Sequence, residues 1–91
     1  MKVLDRNDCS YELGDKFVWV APYYSPSARS RGFEIRTHLG IEMRMHFGGV
    51  KMAHKAAKEK CKLYGVNRYF DTTFENCRWI ALFKEREHAH G

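Results

Sequence analysis

The chain carries none of the fixed motifs that mark common catalytic sites. It has no G-x-x-x-x-G-K-[ST] phosphate loop, no G-x-S-x-G nucleophile turn and no H-E-x-x-H zinc helix. Acidic residues such as Asp5, Asp8, Glu12 and Asp15 are scattered through a polar stretch and read as solvated surface. A non-enzymatic protein is therefore expected. Cysteine is sparse as well. Cys9, Cys61 and Cys77 are three in number and far apart, an odd set that argues against a disulfide scaffold. Unpaired thiols in a reducing, cytoplasmic setting are the simpler expectation. His38, His46, His54, His88 and His90 show no H-x₃₋₅-H spacing, and no C-x₂-C is present, so no metal and no cofactor are expected.

Long apolar runs are also missing. No stretch approaches the roughly 18 residues needed to cross a bilayer, so no membrane contact is expected. The start, MKVLDRNDCS, has no apolar core of a secretory signal. Repeats, low-complexity segments and linkers are absent, which leaves one domain over residues 1–91. Its polar end, EREHAHG at 85–91, reads as a frayed tail.

Acidic charge is in deficit. Sixteen Lys and Arg stand against 11 Asp and Glu, a net charge of +5 that favours nucleic acid or an acidic protein surface as partner. Hydrophobic content of 44% supports a folded core rather than disorder.

One stretch concentrates the charge. Residues 50–64, VKMAHKAAKEKCKLY, place Val50, Ala53, Ala57, Cys61 and Tyr64 on one side at about 100° per residue. The same rotation gathers Lys51, Lys55, Lys58 and Lys62 into an arc of roughly 60° and a row roughly 16 Å long. Gly48 and Gly49 precede this helix, and Gly65 offers a left-handed stop. Lysines in a row are point charges for phosphates, and Arg29 and Arg31 in the loop SPSARSRG extend the set if that loop lies nearby. With no base-reading Asn, Gln or Arg on the helix, backbone contact is expected rather than sequence reading. The plain alternative for the same row is a solvated helix face. Tyr23, Tyr24, Tyr69 and Phe70 offer stacking platforms, against the plain alternative of sheet packing.

Around the helix, a short strand fits the first five residues, and 6–15 read as a loop. Residues 16–24, KFVWVAPYY, and 78–84, RWIALFK, read as strong strands lying side by side in the middle of a sheet. Both of their faces are apolar, so cover by a homodimer or by a curled, barrel-like sheet is expected. Residues 33–47 read as a hairpin with a three-residue loop, His38-Leu39-Gly40. That register opposes Ile35 with Met43, Arg36 with Glu42 and Glu34 with Arg44. A short strand fits 66–70, and T-x-x-E at 72–75 suggests a helical turn. The expected fold class is α+β: an antiparallel sheet of about four strands, β-β-β-α-β, with the amphipathic helix on one face.

Three strands followed by GGVKMAHKAAKEKCKLYG are similar in layout to the back half of double-stranded-RNA-binding domains. In that family a glycine-containing turn leads into a lysine- and alanine-rich helix that meets phosphates. The resemblance covers 33–64 and implies a phosphate role for Lys51 and Lys55. The chain lacks that family's first helix and adds a C-terminal strand, so the likeness is one of layout. AP2-type DNA-binding domains also combine three strands with a helix but read DNA from the sheet, and their diagnostic residues are absent. The functional expectation is a small basic nucleic-acid-binding protein. A non-enzymatic module docking on an acidic partner, as a small inhibitor or accessory factor would, is the alternative.

Overall fold

Alternating large and polar side chains over residues 18–45 form three consecutive antiparallel strands. The computed structural model describes residues 3–6, 9–27, 29–45, 49–73 and 77–82. Among the described residues, strand β1 (Val3–Arg6) pairs with β2 (Cys9–Glu12) in a two-stranded antiparallel sheet. Cys9–Glu12, expected within a loop, is thus a strand. Strands β3 (Val18–Ser25), β4 (Ser30–Thr37) and β5 (Gly40–Met45) begin the main sheet. Helix α1 (Val50–Tyr64) follows, then β6 (Arg68–Asp71) and β7 (Arg78–Ala81).

The sheet order is β5-β4-β3-β6-β7, and β6 runs parallel to β3. The architecture is α+β, but the sheet is mixed and five-stranded rather than fully antiparallel and four-stranded. A parallel neighbour needs a long crossover, and the chain between β5 and β6, α1 included, supplies one. Thr72 N–H extends the pairing by donating to Val20 O at 2.9 Å. Strand β6 thereby separates β3 from β7. Among the described residues, the part of that apolar run that forms β7, Arg78–Ala81, lies at the sheet edge, not beside β3. Residues 74–76, with most of the expected helical turn, and the tail at 85–91 lie outside the described residues.

The hairpin differs from expectation at its turn and agrees beyond it. Phe33 opposes Met45, Glu34 opposes Arg44 and Ile35 opposes Met43. The loop, however, is two residues, with Thr37 opposite Gly40 and Arg36 opposite Ile41. A bulge next to Ile35 and Arg36 restores the register. Gly40 takes φ 111°, which favours glycine. Glu42 is the residue displaced by the bulge and never faces Arg36. The turn between β3 and β4 is also tighter than expected. Ser25 pairs with Ser30, Arg31 already belongs to β4, and Arg29 is left-handed at φ 51°.

Helix α1 begins after Gly49 with no side-chain cap and no acidic residue in its first turn. It ends at Gly65, whose N–H donates to Cys61 O and whose φ of 73° lets Val66 N–H donate to the same oxygen at 3.0 Å, with Lys62 in the last turn. Ala53, Ala56, Ala57 and Cys61 are buried in one cluster with Val18, Val20, Phe33, Ile35 and Tyr69. Alternation along each strand puts Trp19, Tyr23, Glu34, Arg36, Arg44, Arg68 and Trp79 on the other sheet face. Leu13, Phe17 and Phe70 form a second cluster on that side, flanked by Trp19, Cys77 and Trp79. Cover for the second face comes partly from this chain's own Leu13 and Phe17.

Candidate nucleic-acid interface

Lys51, Lys55, Lys58 and Lys62 are all exposed on α1. Among the described residues none of the four makes an ion pair. Lys60, one step off the row, behaves differently. Its Nζ lies 3.1 Å from Glu42 Oε1. Glu42 also accepts hydrogen bonds from Thr37 Oγ1 and, at 2.5 Å, from Tyr64 OH. These bonds, Thr37's foremost, hold its carboxyl down at about 2, with the Lys60 charge adding to them. The ring of His38 meets Tyr64 edge-on at 4.7 Å, closing the junction between the β4–β5 turn and the helix end. The bulge in β5 thus delivers one carboxylate to the helix, and Lys60 takes it.

Arg29 and Arg31 are exposed at the turn joining β3 to β4. Strand β5 runs back toward that turn, and Lys51 lies in the first turn of α1. The registers place Met45, at the end of β5, opposite Phe33, toward the β4 end that carries Arg31.

The stacking candidates separate cleanly. Tyr69 and Phe70 are buried, at 1% and 0% exposure, and are core residues. Tyr23 is half-buried beneath Arg44, whose guanidinium carbon lies 4.4 Å from the ring centroid. Tyr24 is exposed. Two further pairs share the Tyr23 face and were not anticipated from sequence. Arg36 lies 4.4 Å from the Trp19 ring centroid, and Arg68 lies 4.0 Å from that of Trp79. Glu34, 1% exposed, sits between Arg36 and Arg44 and accepts from the Nε of both, at 3.2 Å for Arg44. Strict alternation of Glu34 with Arg36, opposite Arg44, is the signal that points to this face. The two tryptophans read only as strand core because cation–π partners leave no mark on apolar periodicity.

Beneath the helix, His54 and Asp71 anchor a polar cluster. His54 Nδ1 lies 2.6 Å from Tyr69 OH, and its Nε2 lies 3.9 Å from Asp71 Oδ2. Asp71, fully buried, accepts from Thr73 N at 2.9 Å, Thr73 Oγ1 at 2.6 Å and Arg78 Nε at 3.1 Å. Burial pushes the His54 pKa down, Asp71 opposing it, and pushes the Tyr69 phenol up to about 12. Every member has a structural partner, and the cluster reads as a satisfied polar seam.

Cys61 is free and buried, donates to Arg68 O at 3.6 Å, and has its thiol raised to about 11 by burial. Cys77 is disulfide-bonded. That corrects the expectation of three unpaired thiols and removes the cysteine argument for a reducing setting. Among the described residues no three His, Cys, Asp or Glu side chains come together as a metal site, and no helix is long and apolar enough to cross a membrane. Compared with known proteins, the chain matches no family model, no curated protein and no solved structure.

Proposed function

We propose that the protein binds nucleic acid through phosphate contacts made by Lys51, Lys55, Lys58 and Lys62 of α1. Arg29 and Arg31 extend the contact at the helix's N-terminal end. The reading takes α1 as lying across the sheet face of Val18, Val20 and Ile35, with its lysines turned outward. One observation carries it: Glu42 of β5 pairs with Lys60, and the four lysines of the row have no acidic partner among the described residues. A row of like charges weakens a helix by a few tenths of a kcal/mol per i,i+4 pair. Phosphates would relieve that repulsion and release counterions. The row holds point charges only, so duplex DNA or RNA would be met at its backbone, without sequence preference.

The test is duplex binding by the Lys55→Glu, Lys58→Glu double variant. Binding should fall at least ten-fold below the parent's while the fold persists by circular dichroism. Equal binding by parent and variant would refute the reading. A stoichiometric protein partner captured with or without nuclease treatment would favour the docking-module alternative.

A further inference from the structure

The geometry points to a second binding surface, on the sheet face carrying Trp19 and Trp79, that takes unpaired bases of single-stranded nucleic acid. Three guanidinium groups lie on aromatic rings there: Arg36 on Trp19, Arg44 on Tyr23 and Arg68 on Trp79, at 4.4, 4.4 and 4.0 Å from the centroids. The side chains of Arg36 and Arg44 remain 35% and 46% exposed, and Arg68 is exposed. Each stack therefore presents a flat, always charged, weakly hydrated cation backed by a ring.

The platform is also held rigid. Trp19 Nε1 donates to Thr72 Oγ1 at 2.7 Å, and Thr72 Oγ1 donates in turn to Val20 O at 3.0 Å. Glu34 holds Arg36 and Arg44 from below through their Nε atoms. Bases stack on guanidinium planes as well as on rings, and a positive surface attracts the backbone between them. Because the Nε donors of Arg36 and Arg44 are committed to Glu34, one of the two edges that grip a carboxylate bidentately is already used. The exposed planes remain, and they suit a base better than an acidic side chain. This surface lies on the sheet face opposite the cluster that buries Ala53 and Ala57, so it is separate from the lysine row and does not rest on that reading.

Both tryptophans of the chain lie on this face, so intrinsic fluorescence reports its occupancy. Short oligodeoxythymidylate should quench that fluorescence. Arg44→Ala and Arg68→Ala should each weaken binding roughly ten-fold, within the range of one lost stacking contact. Arg44→Lys and Arg68→Lys keep the charge and should recover only part of the loss, which separates stacking from simple attraction and guards against misfolding of the alanine variants. An abasic oligomer of equal length should bind more weakly than oligothymidylate. The Lys55→Glu, Lys58→Glu variant should keep the quenching even if it loses duplex binding. Absence of quenching, equal quenching by the abasic oligomer or by polyglutamate, full recovery in the lysine variants, or loss of quenching in the α1 variant alone would each overturn the proposal.

Discussion

Lys60 Nζ lies 3.1 Å from Glu42 Oε1, and this contact ties the C-terminal half of α1 to the edge strand β5. Glu42 reaches the helix because the bulge turns it out of register with Arg36. The same carboxylate accepts from Thr37, which is 1% exposed, and from Tyr64, so one side chain closes the turn, the strand and the helix end.

Replacing Glu42 by Ala should therefore cost about 1–3 kcal/mol, because the buried Thr37 hydroxyl loses its acceptor. Urea unfolding at neutral pH measures it. A midpoint equal to the parent's would show that the junction contributes nothing.

The pH dependence has a defined sign. The Glu42 carboxyl sits at about 2 in the folded chain against an ordinary 4.5. A depressed carboxyl stabilises the fold in full above its unfolded value, and that stabilisation fades as pH falls from 4.5 through about 2. Melting temperatures taken across this window should fall more steeply for the parent than for Glu42→Gln. Parallel curves would contradict the assignment.

Ala53 and Ala57 are completely buried against the sheet cluster. Ala57→Leu adds volume at a fully buried position and should destabilise by about 1–3 kcal/mol. A variant as stable as the parent in denaturant titration would mean that the helix seat is looser than this packing implies.

Cys61 is fully buried, with its thiol raised to about 11. Thiolate is the reactive form, so native protein should react with Ellman's reagent far more slowly than urea-unfolded protein. Equal rates would place the thiol at the surface.

Much of the fold was legible. The 3.6-residue period over VKMAHKAAKEKCKLY marks α1 from Val50 to Tyr64, because amphipathicity and the Gly65 stop agree. Charge opposition located Glu34 against Arg44. The turn was not legible, since a two-residue loop plus a bulge and a three-residue loop lead to the same register beyond Ile35. The parallel pairing of β6 with β3 was hidden because apolar strands show their burial, not their neighbours. At the candidate interface, exposure of the four lysines follows from helix period. The diversion of Glu42 to Lys60, and the arginines stacked on Trp19, Tyr23 and Trp79, depend on contacts between distant segments that periodicity does not carry.

The most direct test of a phosphate-binding helix is the salt dependence of duplex binding. If Lys51, Lys55, Lys58 and Lys62 each neutralise one phosphate, they contribute about −3.6 to the slope of log K against log salt for B-form DNA, and phosphate contacts by Arg29 and Arg31 steepen it further. Lys55→Gln should make that slope shallower by about 0.9, and Lys55→Gln with Lys58→Gln by about 1.8. A slope near zero, or one unchanged in these variants, would contradict the account.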